Sequence, residues 1–171
     1  MLYEDIFREF ELQQVRYLVV GGVAVNLYGY ARLTVDLYMM VDLSDQNMSK
    51  IFQAMEKLGY KPRVPVRATE IISPYRRMEW IEQKGAIVFT FVHQYQPYKH
   101  LDIFLKNPIE FEKAYSRSKV FQVGKMSIRV ANIEDLIAMK QASKRPKDLT
   151  DIAQLKKLKR LAEPGKSKDG S

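Results

Sequence analysis

The chain has 171 residues, 46% hydrophobic and 28% charged, the balance of a soluble globular protein long enough for one substantial core. It contains no cysteine, which excludes disulfides and thiolate metal sites, and no apolar run approaches membrane-spanning length. The net charge of +8 is concentrated late: residues 140–171 hold ten basic and four acidic residues, which suits nucleotide phosphates or RNA, or else a solvated helix face with a polar tail.

Residues 2–14 read as an amphipathic helix with Ile6, Phe10 and Leu12 or Val15 inward. Its acidic start is not secretory in character, so a cytoplasmic protein is expected. Residues 17–20 form an apolar, β-branched-rich run that reads as a buried strand. Gly21 and Gly22 follow, able to turn the backbone and let it come close to a ligand. A short helix is expected over 23–30, ending near Gly29, and then a second strand over 33–41. That strand carries one acid, Asp36, in an apolar run, where a carboxylate is costly unless something pairs with it; a metal ion is one such partner.

Ser44 caps a helix that runs to Leu58 with Met48, Ile51, Phe52 and Met55 at helical spacing, a core stripe ended by Gly59. Residues 61–67, with two prolines and three basic residues, read as a loop leading to a short strand at 70–72. Pro74 opens a helix that carries Arg76, Arg77 and Trp80. The cluster Arg63, Arg67, Arg76 and Arg77 suits a triphosphate or is surface charge. Two strands, 86–93 and 100–105, are joined by the loop YQPYK and are expected to pair antiparallel; the second carries another lone acid, Asp102. A helix over 109–117, a hairpin of 120–123 and 126–130 around Gly124-Lys125, and a helix capped by Asn132 with Asp135 follow. A last helix starts at Pro146, and the polar segment 163–171 reads as disordered.

The order Gly21, Gly22, Ala24, Gly29, Arg32, Thr34, Asp36 resembles the opening of the nucleotidyltransferase superfamily, the DNA polymerase β-like fold. Its small prokaryotic members include the abortive-infection toxins of AbiE type. Lys140, Arg145, Lys147, Asp148 and Asp151 resemble the closing segment of those proteins, and HLDIF around Asp102 their last metal-binding strand. The sequence departs at Tyr38, where the family pattern has a second Asp on the same strand face as Asp36. Asp42 does not replace it, being about 13 Å further along the strand.

The resemblance implies an α/β (α+β) fold, a small mixed, twisted sheet flanked by helices, with C-terminal helices, as one domain over 1–162. It implies Mg²⁺- or Mn²⁺-dependent transfer of a nucleoside monophosphate from a nucleoside triphosphate to a protein or RNA acceptor, in a toxin with an antitoxin-like partner. Asp36 and Asp102 are the implied metal ligands, Tyr38 the degenerate position, and Lys140 and Asp148 further catalytic residues. Gly21, Gly22, Arg32, Thr34 and Lys140 are the implied nucleotide contacts. The chemistry suits these types: hard divalent ions take carboxylate oxygens and keep waters, and backbone amides at a helix start suit phosphates. Two other readings stand beside this one, a catalytically weakened binding module of the same fold and a basic RNA-binding protein.

Overall fold

A mixed sheet of seven strands frames the molecule in the computed structural model, which describes residues 2–143 and 145–162. The strands are β1 (Tyr17–Val20), β2 (Leu37–Val41), β3 (Tyr60–Pro62), β4 (Val88–His93), β5 (His100–Phe104), β6 (Lys119–Val123) and β7 (Met126–Val130), in the order β3-β4-β5-β2-β1-β7-β6. The pairs β1·β2, β3·β4, β4·β5 and β6·β7 are antiparallel, whereas β2·β5 and β1·β7 are parallel. Every residue of β1 is buried, as expected of a strand with a neighbour on each side and helices over its faces.

The helices are α1 (Glu4–Leu12), α2 (Gly21–Leu27), α3 (Asp45–Lys57), α4 (Ala68–Ile72), α5 (Pro74–Lys84), α6 (Phe111–Ser116), α7 (Ile133–Ser143) and α8 (Pro146–Ala162). The Met48, Ile51, Met55 stripe of α3 is core, and Phe52 stacks edge-on against Phe91 and tilted against Phe89. No helix among the described residues is long and apolar enough to cross a membrane. The expected tail at 163–171 and the side chain of Lys147 lie outside the described residues.

Three local expectations are corrected. Residues 70–72 belong to helix α4 rather than a strand. The end of this short helix is held from outside the window: the buried Arg77 guanidinium donates to Ile71 O (2.9 Å) and Ile72 O (3.1 Å), satisfying carbonyls that the short stretch Glu70-Ile71-Ile72 could not reveal. Arg77 is thereby engaged structurally and does not join a free basic cluster. Residues 60–62 form strand β3, not a loop; Tyr60 is buried and Pro62 is tolerated because β3 is an edge. The second strand begins only at Leu37, so 31–36 is irregular backbone leading into it.

A polar hub locks the far end of β2. Arg16 N donates to Asn47 Oδ1 (2.8 Å), and Asn47 Nδ2 donates to Arg16 O (3.0 Å) and Asp42 O (2.7 Å). The Arg16 guanidinium bridges Asp42 and Glu112, each at 2.6 Å, and lies 4.7 Å from the Tyr115 ring centroid. Asn47 is buried, so its removal strands the Asp42 carbonyl and the Arg16 amide, while Arg16 O keeps only the Asp42 amide at 3.2 Å. Asn47→Ala should therefore destabilise the fold by about 2–3 kcal/mol, checked as a lower urea midpoint with an unchanged slope.

Candidate active site

The chemistry-bearing residues meet where β1 ends and β2 and β5 begin. Val20 pairs with Tyr38, and Tyr38 pairs with Asp102 across the parallel β2·β5 ladder. Just before β2, Asp36 meets His100, which lies two residues before Asp102 on the same face of β5. Asp36, Tyr38, His100 and Asp102 therefore stand on one face at one end of the sheet.

Each carboxylate has a partner from its own chain. Asp36 Oδ1 lies 2.8 Å from His100 Nε2, and its side chain stays 45% exposed. Asp102 is buried and accepts from the Thr90 hydroxyl, and Tyr38 pairs with it across the β2·β5 ladder. Burial raises the Tyr38 pKa above the usual phenol value, reinforced by the charges of Asp102 and Asp36 and opposed by Arg145, so the phenol is protonated at neutral pH. His100 Nδ1 is buried without a hydrogen-bond partner. Among the described residues no group of three His, Asp or Glu side chains is gathered as a ready-made metal cage. His100 and Thr90 went unnoticed in the sequence. The signal for His100 was its place two residues before Asp102, on the same strand face; Thr90 is set by the β4·β5 register, which only pairing reveals.

Gly21 and Gly22 open α2 directly after β1. Gly21 has φ +71°, and a Cβ there would touch the Tyr38 side chain at 3.4 Å. A Cβ on Gly22 would sit 2.7 Å from Thr34 Oγ1 and 3.0 Å from Thr34 Cβ. The glycines thus let the 31–36 segment, and with it Asp36, pass against the start of the helix.

Arg32, Lys140, Asp148 and Asp151 assemble into a separate buried network joining α7 and α8 to that same segment. Lys140 Nζ is 2.7 Å from Asp151 and 3.7 Å from Asp148, and Arg32 also pairs with Asp151. Asp148 is 0% exposed; it accepts from the Ser143 hydroxyl and from Arg145 Nε at 3.0 Å. Burial pushes the Asp148 carboxyl up, but the Ser143 and Arg145 hydrogen bonds, with the charges of Arg145 and Lys140, hold it below its usual range. Arg145 keeps 58% of its side chain exposed while its charge reaches Tyr38. So Arg32 and Lys140 meet each other through Asp151, and Asp148 faces inward rather than toward solvent.

Residues 5–166 match the family model described as nucleotidyl transferase AbiEii toxin, type IV TA system. The chain belongs to this family. No curated protein matches it. The fold of this AbiEii-family chain is shared with the lincosamide antibiotic adenylyltransferase LnuA in its lincomycin-bound form, at TM-score 0.59 and 22% identity, covering 90% of this chain and 93% of that one. It is similar to ANT(2")-Ia in complex with adenylyl-2"-tobramycin (TM-score 0.58, 13% identity, 94% and 92% covered). A nucleotidyltransferase-like protein from Paracoccidioides brasiliensis is also similar (0.58, 14%, 95% and 75%). The mixed sheet with flanking helices is thus a nucleotidyltransferase fold.

Two outcomes follow from the geometry. Gly22→Ala should cost about 1–3 kcal/mol, because Thr34 must be displaced, read as a lower melting temperature. Asp148, with its folded pKa depressed, contributes stability that is present above the unfolded value of about 3.9 and lost as pH falls through the folded value. Asp148→Asn should be less stable than the parent at pH 7, and the two should converge in acid, as followed by urea unfolding across pH.

Proposed function

We propose that this chain transfers a nucleoside monophosphate from a nucleoside triphosphate to a protein or RNA acceptor with one divalent cation, Mg²⁺ or Mn²⁺, as the toxin of a pair with an antitoxin-like partner. The observation that carries the reading is the placing of Asp36, just before β2, and Asp102, on the parallel neighbour β5, beside the Gly21-Gly22 start of α2. The adenylyl chemistry named for the two antibiotic-modifying relatives makes ATP the first donor to test.

The donor set fits a single ion. Asp36 is open to solvent and Asp102 lies one strand away, and a hard cation completes its shell with water. Tyr38 stands where a second carboxylate would bridge two ions, and its protonated phenol is a poor ligand. When bound, the cation would supply charge stabilisation at the α-phosphate. The chain's own groups do the rest. The amides of Gly21 and Gly22 approach the phosphates, and Thr34 borders them. Arg145 presents a cation beside Tyr38. Lys140, Asp148, Asp151 and Arg32 act as positioning residues: they tie α7 and α8 to the segment that carries Asp36.

The protonated Tyr38 phenol opposite Asp102, where the family pattern has a carboxylate, favours a second reading, in which the same site binds nucleotide but transfers it slowly or not at all. Labelled transfer separates the two. With α-labelled ATP, Mg²⁺ or Mn²⁺ and cell extract, the native chain should label protein or RNA, and Asp36→Asn should not. Nucleotide with metal should raise the melting temperature, by about 2.7 kcal/mol of stabilisation at a hundredfold excess over Kd, and Asp36→Asn should blunt the metal dependence. Tyr38→Asp should lower the melting temperature in chelator through carboxylate repulsion, regain it in metal, and transfer faster. Metal-dependent stabilisation without transfer by the native chain would establish the binding reading; neither response would overturn both.

A further inference from the structure

Two hydroxyls that no step of the transfer uses stand behind the two acids of the site. Thr90 lies in the middle of β4, paired with Asp102 in the antiparallel β4·β5 ladder, and its hydroxyl donates to Asp102 Oδ1. Its neighbours Phe89 and Phe91 are buried on the other face of the sheet, against Phe52. Thr90 O accepts from Arg63 N at 2.9 Å, so its backbone groups point toward β3 and away from β5. Thr90 and Asp102 are therefore a non-hydrogen-bonded pair, the kind whose side chains approach most closely. A β-branched side chain on so fixed a backbone is stiff at χ1, and its hydroxyl comes ready aimed.

Asp36 is reached from the start of the chain. Tyr3, just before α1, is 3% exposed; its phenol donates to Val35 O and accepts from His100 N at 3.4 Å. Val35 precedes Asp36, and His100 is the residue whose Nε2 meets Asp36 Oδ1. One buried oxygen thus ties the irregular stretch before β2 to the first residue of β5.

We propose that Thr90 and Tyr3 are positioning residues for the cation: Thr90 fixes the plane of the Asp102 carboxylate, and Tyr3 holds Asp36 at its distance from Asp102. The inference rests on the transferase reading of this site. An Asp carboxylate turns broadly about its last torsion. A donor on Oδ1 stops that turning and leaves Oδ2 to face an ion, the usual role of a partner behind a metal ligand. With a neutral phenol at Tyr38, the site has two carboxylates, so a misaligned one has no third to compensate for it. The kind of donor fits as well. Asp148 and Asp151 are held by Lys140, Arg145 and Arg32, whose charges would oppose a bound cation. Thr90 restrains Asp102 without spending its charge, and Tyr3 acts through backbone atoms alone.

Mn²⁺ binding to the full chain, followed by the electron paramagnetic resonance signal of the free ion with and without ATP, tests this. Thr90→Val keeps the shape and loses the hydroxyl; Tyr3→Phe loses one oxygen. Each should weaken Mn²⁺ binding about tenfold or more, and Thr90→Ser, which restores the hydroxyl, should recover most of the loss. In labelled transfer at saturating metal, kcat should fall in the same order with KM for ATP little changed. Asn47→Ala, destabilised at the far end of β2, should bind Mn²⁺ like the parent, which separates aim from stability. All variants are compared where circular dichroism shows them folded; if Thr90→Val does not fold, Tyr3→Phe decides in the same way. Parent-like Mn²⁺ affinity in folded Thr90→Val or Tyr3→Phe, no recovery in Thr90→Ser, or an equal loss in Asn47→Ala overturns the inference alone. A parent that binds no Mn²⁺ and transfers no label overturns the transferase reading and this inference together.

Discussion

The site exists because β2 is hydrogen-bonded antiparallel to β1 on one side and parallel to β5 on the other. That register sets Tyr38 opposite both Val20 and Asp102, and so places the glycine turn after β1, the acid before β2 and the acid within β5 at one end of the sheet. A one-residue slip of β2 would send Asp36 and Tyr38 to the opposite face, where Leu37 and Met39 are fully buried. The register is therefore held by core burial, and the functional face inherits its order from the apolar one.

The same end of the sheet gathers negative charge, and the chain neutralises it in three separate ways. Asp36 takes a histidine, Asp102 takes the Thr90 hydroxyl, and Asp148 and Asp151 take Lys140, Arg32 and Arg145. Tyr38 belongs to this balance. A phenol in place of a carboxylate removes the repulsion that two adjacent acids would feel. The fold is thus stable with its acids in place, at the cost of one oxygen ligand. The buried Lys140 network is of a different kind. Removing one partner there leaves a charge uncompensated in the interior, so its residues bear on the docking of α8 before they bear on chemistry.

The link from Asp151 to Arg32 joins the last helix to the irregular stretch that delivers Asp36. It explains how residues more than a hundred positions apart in sequence serve one site without all touching it. The closeness of Thr34 to Gly22 performs the complementary task from the other side, pressing the stretch against the start of α2. Between these two contacts the 31–36 backbone needs no ladder of its own to be placed.

Much was readable from the chain alone, for local reasons. The β-branched run before Gly21-Gly22, the α3 stripe ended by Gly59, the antiparallel pair around YQPYK and the hairpin at Gly124 are each encoded by periodicity and turn residues within a short window. So was the family, through the order of its short motifs, which the family match bears out. What the window cannot hold is pairing across the fold. That 70–72 is helical depends on Arg77 reaching its carbonyls, and that 60–62 is a strand depends on β4 lying beside it. Asp36 and Asp102 are sixty-six positions apart, and only the parallel β2·β5 ladder makes them neighbours, with His100 and Thr90 as their partners. Arg32, Lys140, Asp148 and Asp151 were legible as a list of charges. Their burial together was decided by the packing of α8, because the free energy of a buried ion pair depends on geometry that no local pattern records.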